Sequence, residues 1–222
     1  MLLLSGCAKQ PPVYGSLGVD ASLGKGETLT VVLTEYKDCN EGIECVTSGT
    51  TASKERSLAG CLTDELPGGA VLRAARVRDS AFPGKDFEAS PRSLPEWQEM
   101  LQSPDFRRAI EPLNLRYVLF ATLTSQSHPL PGEFDTRILA SAAHSKWRST
   151  AHLQTEVLDV KANNRAGTLS ATKSGDGGVV IGFFLIVPVI VIPHWTRTEA
   201  HTCSAVARAL ADSVRPAKGA SF

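Results

Sequence analysis

Leu115-Arg-Tyr-Val-Leu-Phe-Ala-Thr-Leu123 is a nearly continuous apolar run rich in β-branched and aromatic residues. Such a run fits a central strand covered on both faces rather than a surface strand with one wet side. Just upstream, Ser93-Leu94-Pro95-Glu96 matches a helix capping box, and Ser103-Pro104 puts proline at the first position of a second helix. Trp97, Met100, Leu101, Phe106, Ile110 and Leu113 keep helical spacing through both. Further back, Thr28 to Tyr36 reads as a first strand and Ser53 to Leu66 as a helix stopped by Pro67-Gly68-Gly69. Ala70-Val71-Leu72 begins a short strand, and Arg73 to Ser90 reads as a mixed loop.

Downstream of the central run, His128 to Arg148 reads as an irregular hairpin, and Ala151 to Val160 and Ala166 to Lys173 as strands joined by an Asn163-Asn164 turn. Gly175-Asp176-Gly177-Gly178 reads as a reversal between strands. Thr196-Arg197-Thr198-Glu199 forms another capping box, opening a helix to about Val214 with Cys203, Val206, Leu210 and Val214 on one side. This order predicts an α/β (α+β) fold, a single sandwich domain whose mixed sheet is covered by helices. The composition agrees: 222 residues at 42% hydrophobic can bury a real core, which excludes disorder throughout. With 23 basic and 23 acidic residues there is no broad basic field, so no nucleic-acid partner is expected.

At the amino terminus, Leu4-Ser5-Gly6-Cys7 resembles the lipobox of bacterial lipoproteins. The resemblance implies that Cys7 becomes a lipidated amino terminus, that the bilayer is a partner through it, and that the chain lies on the periplasmic side of the cell envelope. Ala8 resembles the outer-membrane sorting pattern rather than the inner. Only Met1-Leu2-Leu3 precedes the motif, less than the apolar region of a secretory signal, so residues 1–6 read as the remnant of a signal peptide that begins upstream. Residues 7–26, with Pro11-Pro12 and interspersed Gly and Ser, read as a lipidated tether, leaving 27–216 as the folded domain.

Beyond Cys7 the chain has Cys39, Cys45, Cys61 and Cys203, an even number suited to an oxidising compartment and open to three pairings. Cys39 and Cys45 flank a polar loop containing Gly42, which makes a local bridge easy and leaves Cys61 with Cys203, both on core-facing helical stripes. The spacing gives no histidine partner for zinc.

Several segments resemble small periplasmic lipoproteins of proteobacteria: Cys61-Leu-Thr-Asp-Glu-Leu66, Leu115-Arg-Tyr-Val-Leu119, Glu156-Val-Leu-Asp-Val160 and Cys203-Ser-Ala-Val-Ala-Arg-Ala-Leu210. More distantly the layout is similar to the α/β domain of the TolB amino-terminal domain, of lipoprotein activators of penicillin-binding proteins and of the curli secretion lipoprotein. The resemblance implies envelope assembly or protein binding and supplies no catalytic residue. The residues agree: His128, His144, His152, His194 and His201 form no metal-binding pair, and neither a nucleophile elbow nor a phosphate-binding loop is present. No catalytic residue, metal or cofactor is expected.

Gly177 to Pro193 contains no charged residue. It is short, β-branched and interrupted by Pro188, which argues against a membrane-spanning helix. Two readings stay open: a buried strand or strand pair with Pro188 at a bend or edge, or a projecting apolar loop. On the second, Val180, Phe183, Phe184, Ile186, Val189 and Trp195 are the candidate membrane or partner contacts. The function expected is a non-catalytic adaptor or assembly factor that binds another envelope protein. The alternatives are a subunit of a membrane-inserting or secretion complex using residues 178–192, and an enzyme with an unrecognised site.

Overall fold

A computed structural model describes residues 11–18, 22–40, 45–47, 51–66, 70–84, 90–137, 140–184, 187–191 and 198–214. For 131–137, 140–147, 177–184 and 187–191 the backbone path and strand register are what is described. Cys7, Ile186, Trp195 and Thr196, singled out from the sequence, lie outside the described residues, as do the side chains of Val180, Phe183, Phe184 and Val189.

The strands are β1 (Val13–Leu17), β2 (Thr28–Asn40), β3 (Val46–Thr47), β4 (Val71–Leu72), β5 (Leu115–Arg137), β6 (Ala140–Asp159), β7 (Asn164–Phe184) and β8 (Val187–Val191). They form one sheet in the order β1-β7-β6-β5-β2-β3, with β4 beside β2 and β8 beside β7. The sheet is mixed, because β5 runs parallel to β2 and antiparallel to β6. The helices are α1 (Thr51–Glu65), α2 (Ala74–Ala81), α3 (Leu94–Met100), α4 (Pro104–Ile110) and α5 (Thr198–Val214).

The apolar run that opens β5 is explained by helices on both faces. Tyr117, Leu119, Ala121 and Leu123 join the core under α1 and α5, while Val118 and Phe120 join the core under α2, α3 and α4. All six are at most 4% exposed. The α2–α4 side is closed by aromatic packing: Trp97 meets Phe106 at 5.5 Å and Phe120 at 6.1 Å between ring centroids, and its indole N–H donates to the Pro91 carbonyl at 3.2 Å.

Both disulfides are present, Cys39–Cys45 at the end of β2 and Cys61–Cys203 joining α1 to α5, with Cα separations of 4.2 and 6.3 Å.

Three expectations differ from the structure. Residues 73–90, read as a loop, contain α2, which packs with only Ala74 and Val77 fully buried; so narrow a stripe gives little periodic signal. Gly175 to Gly178 do not reverse the chain but continue β7, opposite Ser149, Arg148, Trp147 and Lys146 of β6, because ladder pairing overrides the turn preference of glycine. Within the expected tether, Val13 to Leu17 form β1 along β7. Two glycines permit that pairing: a Cβ on Gly15 would lie 2.2 Å from the Thr168 carbonyl oxygen, and one on Gly167 2.2 Å from that of Ser16.

Candidate functional site

The parallel pairing of β2 with β5 ends at Asn40 opposite Ser127, and the other strands continue without it. Residues 128–137 of β5, 140–148 of β6, 176–184 of β7 and all of β8 thereby make a four-stranded antiparallel ribbon that prolongs one end of the sheet. On one side, the described helical layer starts at Thr198, whose hydroxyl oxygen lies 3.4 Å from that of Ser149 at the ribbon's base. The stem below is tied across strands by polar pairs: Thr150 with Ser174 at 2.9 Å and His152 Nδ1 with Thr172 at 2.8 Å. Arg148 adds a two-pronged bridge to Asp176, Nε to Oδ1 at 2.8 Å and Nη2 to Oδ2 at 3.3 Å. The far connections carry Ile138-Leu139 and Leu185-Ile186, which lie outside the described residues.

Directly opposed residues share a face of a sheet and successive residues alternate, so the register sorts the ribbon into two faces. The face continuing the α1/α5 side holds Pro129 of β5, Trp147, Ser145, Ala143 and Ser141 of β6, and Val179, Ile181 and Phe183 of β7. After an irregularity between Leu130 and Glu133, it also holds Phe134 and Thr136 of β5, and Ile190 and Pro188 of β8. None of these is charged. The titratable residues of the ribbon, His128, Glu133, Asp135, Arg137, His144, Lys146, Arg148 and Asp176, all fall on the opposite face. That face is charged along β5 and β6 and at Asp176 of β7, and apolar farther along β7 and β8, where Val180, Phe184 and Val189 lie.

Of the contact residues singled out from the sequence, Phe183 therefore lies on the charge-free face and Val180, Phe184 and Val189 on the other. The apolar segment is a strand pair, β7 with β8, with Pro188 in the strand at the sheet's border. The hairpin read at His128 to Arg148 is present as the far ends of β5 and β6; what that reading missed is the sorting of its charges onto one face. Its signal was present as a two-residue period, Glu133-x-Asp135-x-Arg137 and His144-x-Lys146-x-Arg148, obscured by Pro129, Pro131 and Gly132.

Near the base, Lys54 Nζ meets Glu199 Oε2 at 2.5 Å and sits 4.7 Å from the Tyr36 ring centroid, joining α1, β2 and α5. Burial would lower the Lys54 pKa, but the bond to and charge of Glu199 outweigh it and hold the ammonium above its ordinary value. Burial, then the Glu199 charge, raises Tyr36. Both shifts run away from neutrality, the reverse of what a general base or nucleophilic amine needs. An open hollow of about 320 Å³ beside α4 is lined by Arg107, Glu111, Asn114 and Lys161 together with aliphatic residues. Among the described residues no group of three His, Cys, Asp or Glu side chains comes together in a way that could hold a metal ion, and no helix is long and apolar enough to cross a membrane.

No family model matches the chain, and no curated protein matches it in sequence. Among solved structures it is similar to the PelC dodecamer from Paraburkholderia phytofirmans, with a TM-score of 0.37, 15% identity, and coverage of 92% of this chain and 99% of that one. It is also similar to the LpoB C-terminal domain from Salmonella enterica, with a TM-score of 0.33, 11% identity, and coverage of 73% and 87%. Lipoprotein GNA1162 from Neisseria meningitidis gives a TM-score of 0.22 at 16% identity, covering 70% and 83%. All three overlaps are loose.

Proposed function

We propose that this chain is a lipid-anchored, non-catalytic protein of the cell envelope that works by contact, as an adaptor or assembly factor, and that the ribbon is its contact surface. Cys7 of the Leu4-Ser5-Gly6-Cys7 motif would carry the anchor, and two disulfides suit the periplasmic side. The observation that carries the reading is the sorting of every titratable residue of the ribbon onto one face. A solvated strand extension has no reason to keep one face free of charge over four strands, whereas a surface built to be covered does. The half-buried Lys54, paired with Glu199, is held as an ammonium and serves as a structural tie between α1 and α5.

Intact-mass analysis of natively expressed protein tests the anchor; a mature form with an unmodified Cys7 contradicts it. The contact role is tested by crosslinking in native envelopes, comparing the wild type with Ile181→Asp. The variant is expected to keep the thermal transition of the domain and lose its crosslinked products. Retention of both stability and association contradicts the reading.

A further inference from the structure

We infer that the open hollow beside α4 is a binding site for a free α-amino acid with an apolar side chain, whose carboxylate is taken by Arg107 and whose ammonium is taken by Glu111. The hollow lies at the end of the sheet away from the ribbon, where β5 begins at Leu115 and β6 ends at Asp159, so it does not depend on the contact role proposed there. Its volume of about 320 Å³ is at the small end of the roughly 300–1,000 Å³ that small-molecule sites occupy, which limits the occupant to a small solute. Its apolar part is made of four buried aliphatic residues, Leu101 and Ile110 from the helical layer and Leu115 and Val160 from the end of the sheet. A site of that composition takes an apolar body and leaves orientation to a few polar groups.

Those polar groups carry both signs of charge. Arg107 Nε donates to the Leu101 carbonyl, which fixes the guanidinium beside the hollow, and among the described residues its two Nη groups have no partner. Among the same residues the Glu111 carboxylate has none either. The two side chains are four residues apart at the end of α4, and so are neighbours on one helical surface. An α-amino acid carries its two charges on a single carbon and can reach both at once, with the planar guanidinium matching the carboxylate. A ligand with one charge would leave one member of the pair unanswered. The remaining polar walls are already held. Asn114 Nδ2 donates to the Gly26 carbonyl at 2.7 Å, the Thr28 N–H donates to the Asn114 carbonyl at 2.9 Å, and Lys161 is paired with Glu27. They shape the hollow before anything enters it, which lowers the ordering cost of binding. An occupant touching both α4 and the sheet end ties the two together and stabilises the fold by mass action.

The test is calorimetric titration of the full chain with leucine and with phenylalanine. It is repeated with glycine, 4-methylpentanoate and 3-methylbutylamine, which lack the apolar body, the ammonium and the carboxylate in turn. Leucine or phenylalanine is expected to bind one-to-one in the millimolar range or tighter and to raise the thermal transition. Each of the three reduced probes should bind about tenfold more weakly. Arg107→Gln and Glu111→Gln should each weaken amino-acid binding about tenfold while the unliganded chain keeps its thermal transition. Glu111→Gln should leave 4-methylpentanoate binding no weaker, because that probe has no ammonium to lose, whereas Arg107→Gln should abolish it. Should Arg107→Gln disturb α4 through loss of its bond to Leu101, Glu111→Gln decides alone: weakened leucine with undiminished 4-methylpentanoate supports the site, and equal losses for both overturn it. No saturable binding of either amino acid to the wild type overturns the inference, as does binding that survives both substitutions or glycine that binds as tightly as leucine. None of these outcomes touches the ribbon, whose contact role is read separately by crosslinking.

Discussion

Glu55 is the most buried carboxylate of the α1 side, 4% exposed, where it accepts the Leu33 N–H at 3.0 Å and pairs with Arg78 at 2.8 Å. It serves the stretch of β2 where the register with β5 shifts between Leu33 and Glu35. Glu55→Ala takes the acceptor from Leu33 and the carboxylate from Arg78, and breaking a buried pair from one side costs about 3–5 kcal/mol. Urea unfolding should show that loss; a change below about 1 kcal/mol would mean that water replaces the carboxylate without penalty. Glu96 offers a milder test. The Ser93 hydroxyl, then the Arg92 and Ser93 N–H groups, hold its carboxyl below the ordinary glutamate value. A lowered folded value means its contribution is present above the ordinary glutamate range and is lost as pH falls through the lowered value. Ser93→Ala should raise the Glu96 midpoint in an NMR titration and cost about 1 kcal/mol or less, because the group is solvent-screened. An unmoved midpoint would contradict the hydroxyl's role.

Among the elements, the two disulfides act on very different lengths of chain. Cys61–Cys203 spans 142 residues and Cys39–Cys45 spans 6. In the chain-entropy account the first constrains the unfolded state by about 5 kcal/mol and the second by about 2. The Cys61→Ser/Cys203→Ser pair should therefore lower the urea midpoint about twice as far as Cys39→Ser/Cys45→Ser, and equal shifts would contradict the assignment. Much of this layer is legible in the sequence: the capping box at Ser93 to Glu96, Pro104 opening α4, and the doubly covered start of β5 carry strong local signals. Three elements were hidden for physical reasons. α2 buries too narrow a stripe, β1 depends on a backbone approach between Gly15 and Gly167, and the glycines of β7 are held by long-range pairing with β6. Sequence periodicity carries no information about partners so distant in the chain.

At the scale of the whole molecule, a helix-covered α/β domain and a strand ribbon share one continuous sheet, and the two ends of that sheet follow different rules. Around Tyr117 to Leu123 both faces are apolar because helices cover both. Around Glu133 to Arg137 and His144 to Arg148 charge returns to one face only. The apolar stretch 178–192 was legible as an interaction candidate, but its division between two faces needed the register. The account stands on that division, and it is measurable residue by residue. Single cysteines placed at 179, 180, 181, 182 and 183 of the full chain in native envelopes should alternate in accessibility to a water-soluble maleimide, low at 179, 181 and 183 and high at 180 and 182. Uniform accessibility along these positions, with no two-residue period, would contradict the account.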